Sequence, residues 1–115
     1  MPTYRSAPEG VVITPASTGT TLPYGGVSLL ATTAGSANYL IEAPVAGVKK
    51  WIFSVGNTTA SNTVITSTAS ISIGPGATNK LSFAQTNGPM IALIGLSATR
   101  YGIIASTGVT LSSTS

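Results

Sequence analysis

The stretch Asn38–Val55, NYLIEAPVAGVKKWIFSV, is the most informative part of the sequence for the fold. Both halves show the period-2 alternation typical of β-strands, and the proline and glycine of APVAG interrupt the pattern between them. Tyr39 and Ile41 share one face of the first strand. Trp51 and Phe53 share one face of the second, and we expect both inside the core. The stretch therefore predicts a β-hairpin.

This hairpin also brings charges together. The APVAG turn is flanked by Glu42 on one side and by Lys49 and Lys50 on the other. The whole chain has only five basic residues, counting Lys and Arg together, and two acidic residues. Across a hairpin, Glu42 can pair with Lys49 or Lys50. Because an exposed pair contributes only about 0.2–1 kcal/mol, its expected role is to fix strand register or to meet a charged patch on a partner.

The rest of the chain also indicates β-structure. Ser, Thr, Val and Ile are abundant, no 3.6-residue apolar period is sustained, and turn residues recur about every ten positions. Met90–Ile94 is apolar at every position, which is typical of a strand covered on both faces or lying at a subunit contact. We predict an all-β fold: an antiparallel β-sandwich or jelly-roll-like barrel of about eight short strands.

The first 26 residues differ in composition from the remainder of the chain. Four of the seven prolines stand here among Ser, Thr and Gly, with one short strand candidate at Val11–Thr14. Proline cannot donate a ladder hydrogen bond and holds its neighbours extended. We therefore predict an extended Pro-rich N-terminal arm over residues 1–26 and a β-sandwich domain over residues 27–115; a frayed terminus is the alternative reading of the first segment.

Composition limits the class of protein. The 115 residues suit one domain, and 6% charged residues compares with about 25% in ordinary soluble domains. There is no cysteine to form disulfides, and no apolar run approaches the roughly 18 residues of a membrane span. The N-terminus does not lead into the apolar region of a signal peptide, so we expect synthesis in a cytoplasm and no membrane partner. A small apolar domain without disulfides favours an obligate oligomer.

Catalytic chemistry finds little support. The chain lacks His and Cys, and Glu9 and Glu42 are its two carboxylic side chains. A Ser/Lys dyad needs a buried lysine, and no motif predicts one. We therefore expect no enzyme, no cofactor and no metal site. The net charge of +3 rests on scattered residues, too sparse for a nucleic-acid partner.

Partner binding is the remaining role for the isolated polar and aromatic residues. Tyrosines can line a carbohydrate or protein surface, although core packing is the simpler reading of each. Lysines beside a tryptophan suit a solvated or interfacial strand end better than a nucleic-acid contact. The candidate partner-binding residues are Tyr4, Arg5, Tyr24, Lys49, Lys50 and Arg100.

Two segments resemble a known family. YLIEAPVAGVKKWIFSV, followed some forty residues later by ALIGLSATRYGIIASTGVTLSS, is similar to small virion proteins of tailed bacteriophages. The resemblance covers most of residues 27–112 and leaves the Pro-rich segment outside it. It implies a β-sandwich or jelly-roll fold and a protein that decorates or cements the capsid, often as a trimer, and it implies no catalytic or ligand residues.

Sequence and resemblance together predict a structural virion protein: a capsid decoration or cement protein, made in the host cytoplasm, that binds the major capsid protein and stabilises the head lattice by adhesion. We expect a homo-oligomer, with a trimer favoured by the resemblance. The alternative function is a small domain of a phage tail or head fibre that binds a host-surface glycan or protein.

Overall fold

The computed structural model describes residues 13–16, 21–30, 38–54, 62–68, 70–84 and 88–113. These residues form eleven strands and contain no helix. The strands are β1 (Ile13–Ala16), β2 (Thr21–Leu22), β3 (Gly26–Leu30), β4 (Asn38–Ile41), β5 (Lys49–Ser54), β6 (Asn62–Thr66), β7 (Ser72–Ile73), β8 (Lys80–Phe83), β9 (Met90–Ser97), β10 (Arg100–Thr107) and β11 (Val109–Ser112).

The strands lie in two mixed sheets. One has six strands in the order β1-β3-β5-β9-β10-β7, and the other has five in the order β11-β8-β6-β4-β2. The all-β prediction is confirmed. The prediction of an antiparallel fold is wrong, because β1, β3 and β5 run parallel, as do β2, β4 and β6, and β7 with β10. The jelly-roll-like barrel is also wrong, because neither sheet closes on itself.

The parallel pairs arise from the way the chain winds. From β1 to β6 the chain alternates between the two sheets, and from β3 onward each of these strands pairs in parallel with the strand two places before it. A connection that passes through the other sheet returns the chain in its original direction, as a parallel pair requires. The first six strands thus make three turns of a two-sheet coil, and β8 and β9 then pair antiparallel with β6 and β5.

This winding shows that the predicted hairpin is wrong. β4 lies in the five-stranded sheet and β5 in the six-stranded sheet. The APVAG segment between them is a crossover from one sheet to the other, with a single isolated bridge from Ala46 to Gly95. Glu42 and the two lysines therefore do not face each other across a tight turn.

Side chains of both sheets form one hydrophobic core. Each large apolar side chain buried there contributes about 1.5–3 kcal/mol. The alternation predicted for β4 is confirmed, because Tyr39 and Ile41 are buried, and Ile73, Leu81 and Phe83 of the alternating strands β7 and β8 are buried as well. The full cluster is Leu22, Leu30, Tyr39, Ile41, Ile52, Val64, Ile71, Ile73, Leu81, Phe83, Ile91, Leu93 and Tyr101.

Part of the expected N-terminal arm belongs to these sheets. β1 and β2 are edge strands, and Leu22 of β2 lies in the core at 1% exposure. β3 begins at Gly26, so the expected boundary between residues 26 and 27 falls inside a strand. Pro15 lies in β1, where a proline is tolerated because an edge strand has one unpaired side. Residues 1–12 and 17–20 of the expected arm lie outside the described residues.

Candidate partner-binding surface

The outer face of the six-stranded sheet is apolar. Residues paired across neighbouring strands point to the same side of a sheet. One row therefore contains Val27, Trp51 and Ala92. The neighbouring row contains Leu29, Phe53 and Met90. Apart from the fully covered Ala92, these side chains are half-buried. We call this surface the apolar face; it consists of Val27, Leu29, Trp51, Phe53, Met90, Ala92 and Ile94.

The apolar face continues towards the β10 edge of the sheet. Leu96 follows Ile94 by two residues in β9, so it points to the same side, and it is 58% exposed. Its side chain lies over Gly102 of β10, within 3.0 Å of where a Cβ would stand. A shallow pocket of about 420 Å³ opens here, lined by Ile94, Leu96, Gly102 and Ile103 with Gly74, Pro75 and Arg100.

Arg100, one of the predicted partner-binding residues, lies at this pocket. Its Nη1 donates to the carbonyl oxygens of Gly74 and Gly76, the second at 2.9 Å. The side chain is half-buried, and these bonds fix the guanidinium beside the apolar lining. Arg100 therefore places a positive charge at the rim of the apolar face, where a partner could meet it.

The outer face of the five-stranded sheet is very different. Its paired rows contain mainly hydroxyl and amide side chains, which remain solvated at little cost. The rows are Asn38, Thr63, Ser82 and Thr110, and then Thr21, Leu40, Ile65, Lys80 and Ser112. The outer face of the five-stranded sheet is therefore suited to contact with water, whereas the apolar face of the six-stranded sheet is suited to contact with a second apolar surface.

The prediction that Trp51 and Phe53 lie in the core is wrong: both side chains lie on the outer face of the six-stranded sheet. The buried residues of β5 are Lys50, Ile52 and Ser54, one position out of step with the expectation. The polar members of this inner row have partners: Lys50 Nζ donates to a serine hydroxyl, and Ser54 Oγ accepts from an asparagine amide at 2.9 Å. Because the inner polar groups are satisfied, the aromatic row faces outward.

We expect Trp51→Ala to reduce the free energy of unfolding by about 1–2 kcal/mol, because the indole is half-buried in the isolated chain. Phe83→Ala is the comparison. Phe83 is fully buried, and its loss is expected to cost about 3–5 kcal/mol. Urea denaturation of the two variants measures the difference. Equal losses would show that Trp51 belongs to the core and would argue against an outward role.

Lys50 is not available to a partner, and its prediction as a partner-binding residue is wrong. It is fully buried, and its Nζ donates to Ser28 Oγ at 2.6 Å and to the Gly25 carbonyl at 3.2 Å. Burial lowers the pKa of Lys50 to about 8, and the charge of Glu42 opposes that shift. Lys49 is exposed and pairs in register with Ile94, so it lies at the border of the apolar face.

The structure contains a buried lysine beside a serine, which the sequence did not predict. Ser28 is on β3 and Lys50 is on β5, two adjacent parallel strands. The Ser28 hydroxyl is as fully buried as the lysine, so a substrate has no approach to it in this structure. The arrangement supports a structural interpretation in which the ammonium ties β5 to β3 and to the carbonyl of Gly25.

The two segments that carry the family resemblance are in contact. Gly47 N donates to Gly95 O at 2.9 Å, and Gly95 N donates to Val48 O at 3.0 Å. A Cβ at Gly95 would overlap the Val45 carbonyl. The crossover can therefore approach β9 this closely only because residue 95 is a glycine. The Tyr101 hydroxyl donates to the Glu42 carbonyl at 2.7 Å, and these contacts hold the crossover in place.

A second groove lies beside this crossover. It has a volume of about 410 Å³ and is lined by Tyr24, Glu42, Ala43, Pro44, Val45 and Ser67. Tyr24 is 40% exposed, and its backbone N–H donates to Glu42 Oε1 at 3.2 Å. Tyr24 is therefore accessible, and its role in partner binding stays a prediction. The other two predicted residues, Tyr4 and Arg5, lie outside the described residues.

Other kinds of site are not evident in the described part of the chain. It contains no group of three or more His, Cys, Asp or Glu side chains that could hold a metal ion. It also contains no helix long and apolar enough to cross a membrane. No protein-family model matches the chain, and no curated protein matches it either. The geometry of its surfaces therefore carries the functional argument.

Proposed function

We propose that the chain is a non-catalytic structural protein of a virion, a capsid decoration or cement protein whose two sheets pack as a β-sandwich. The apolar face, with half-buried Trp51 and Phe53 on the outside of the six-stranded sheet, is the observation that supports this most. The bacteriophage resemblance of the segments around Val45 and Gly95 supports the same class. The apolar face binds the major capsid protein.

Burial of apolar area gives such a protein its adhesion. Covering exposed apolar surface contributes about 25 cal/mol per Å², and a stable interface covers about 800 Å² on each partner. Lys49 and Arg100 at the border of the apolar face would add charge complementarity, which sets orientation more than strength. A protein that binds the assembled lattice and not its dissociated subunits stabilises the lattice by mass action.

The protein binds the capsid after its synthesis in the host cytoplasm. There it acts as a homo-oligomer, and the resemblance implies a trimer on the assembled particle. The small number of charged residues, five basic and two acidic, fits a protein whose surface is covered in its working state.

Copy number in purified particles tests the assignment. A cement protein occupies the lattice, so we expect a fixed, high ratio to the major capsid protein in quantitative mass spectrometry of intact virions. The matched control is the same measurement on isolated tails, where the protein should be depleted. A few copies per particle, or enrichment with tails, would contradict the cement assignment.

A fibre domain that binds a host glycan is the second candidate, and the groove at Tyr24 favours it. An exposed aromatic ring offers an apolar platform, and the Glu42 carboxylate and Ser67 hydroxyl lie in the same lining as hydrogen-bonding groups. Tyr24→Ala would then abolish binding to host cells while leaving incorporation into particles unchanged. Unchanged cell binding by this variant would remove the candidate.

A further inference from the structure

In the part of the chain that the structure describes, no strand pairs with the outer edge of β10 beyond Tyr101. β10 has eight residues, but its neighbour β7 pairs with Arg100 and Tyr101 alone. Among the described residues, the rest of β10 pairs with β9 on the opposite side, apart from Ile104, which the register shift between Ile103 and Ala105 leaves without a partner in β9. Residues 104–108 are all exposed, and Ile104 is 48% exposed. A strand segment with this exposure presents unpaired backbone N–H and C=O groups to solvent.

The chemistry of this edge contrasts with that of the other end of the sheet. Residues 103–107, IIAST, contain no charge and no proline, and Ile is β-branched. At the opposite edge, β1 contains Pro15, which prevents continuous pairing. Natural proteins commonly block exposed edges with lysine, proline, a β-bulge or a covering segment, and an edge without such a block can pair with another strand. The register shift makes Ile104 a bulge against β9, whereas residues 105–107 pair with β9 in regular register.

We propose that a second copy of this chain pairs with β10 in an antiparallel manner, residues 103–107 lying against the same residues of the other copy. An antiparallel arrangement of one segment with itself is two-fold symmetric, so a single surface supplies both sides of the interface. The segment is uncharged although the chain carries a net +3, so the two copies meet without like-charge repulsion at the contact.

Such a pair has a consequence for the apolar face. Antiparallel pairing about an axis perpendicular to the sheet keeps the same face of both sheets on one side. The two six-stranded sheets would become one continuous sheet, and their apolar faces would form a single larger surface. Pairing of this kind does not depend on capsid binding, because it is a property of the isolated chain.

Charge insertion at the edge tests the proposal. Sedimentation of the wild-type chain between about 1 and 100 µM is expected to show a monomer–dimer equilibrium. Ile104→Lys is expected to raise the dissociation constant of the dimer at least about tenfold. Leu40→Lys, at a 38% exposed position on the other sheet, is the matched control and should leave the equilibrium unchanged. Circular dichroism confirms that both variants remain folded.

Cross-linking provides a second, independent readout. The chain contains no cysteine, so Ala105→Cys introduces a single thiol at the centre of the proposed contact. Directly opposed residues of antiparallel strands lie about 4.5–5.5 Å apart, within disulfide range. We expect an oxidised dimer for Ala105→Cys and none for Leu40→Cys. A wild-type chain that stays monomeric or forms a trimer in solution, or a dimer that Ile104→Lys leaves intact, would overturn the proposal.

Discussion

Replacing Gly95 with alanine is expected to lower the free energy of unfolding by about 3 kcal/mol, as overpacking in a rigid site does. A Cβ at this position would overlap the carbonyl oxygen of Val45. The obstructing atom belongs to the backbone of the crossover, which is held by hydrogen bonds from Gly47 N and to Val48 O. The crossover must therefore move away from β9, and those bonds are lost with it.

Urea denaturation followed by circular dichroism measures this effect. Gly76→Ala is the control, because a Cβ there meets nothing within 4 Å and the change should stay within about 0.5 kcal/mol. If Gly95→Ala unfolds at the same urea concentration as the wild-type chain, the crossover does not pack against β9 as described.

The stability of the protein is expected to rise as the pH increases from about 8 towards 10. The pKa of Lys50 is about 8 in the folded chain and 10.5 ordinarily, so the unfolded chain binds more protons in this window. The free energy of unfolding then increases with pH, by up to about 1.4 kcal/mol per unit for one proton. Below pH 8 the lysine is charged in both states, and its burial cost is constant.

Tyr101 sets the upper limit of this rise. Burial, with a smaller contribution from Glu42, raises the pKa of Tyr101 above its ordinary value of 10.0. Above pH 10 the unfolded chain loses this proton first, so stability falls again. Thermal melts from pH 7 to 11 should show a maximum near 10, and Lys50→Met should lack the rise that Lys49→Met retains. An equal rise in both variants would assign it to another group.

Sequence alternation indicates the core face of a strand clearly where the other face is polar. In β8, Lys80 and Ser82 alternate with Leu81 and Phe83, so only one orientation buries apolar area. In β5 both rows carry large side chains, and the alternation gives two competing orientations. The hydrogen bonds of Lys50 decide between them, and those depend on Ser28 and Gly25, which are distant in sequence.

The direction of strand pairing could not be read from the sequence for a related reason. A period-2 pattern is the same in parallel and antiparallel strands. The APVAG segment has the residues of a tight turn, but they serve equally well in a crossover, where Gly47 adopts a φ of 84°. Contact between this segment and Gly95, some fifty residues later, fixes the crossover, and local sequence does not contain that contact.

The apolar face, the candidate partner-binding surface, could be predicted only in part. Five consecutive apolar residues at Met90–Ile94 predicted a strand covered on both faces or lying at a subunit contact, and in the structure its outward residues Met90 and Ile94 are half-buried. The sequence analysis did not predict that Val27, Leu29 and Leu96 belong to this face. Isolated apolar residues in short strands do not indicate which face of which sheet they occupy. The predicted basic residues in the described part of the chain divide: Lys50 is buried, whereas Lys49 and Arg100 lie at the border of the apolar face.

Hydroxyl-radical footprinting of the protein, free and bound to particles, tests the central claim most directly. Trp51 and Met90 of the apolar face are readily oxidised side chains, and Tyr24 and Leu40 outside that face serve as references in the same sample. If the apolar face binds the capsid, the oxidation of Trp51 and Met90 should fall strongly on particles, whereas the oxidation of Leu40 should not change. Unchanged oxidation of Trp51 and Met90 on particles, with protection at Tyr24 or Leu40 instead, would contradict the account.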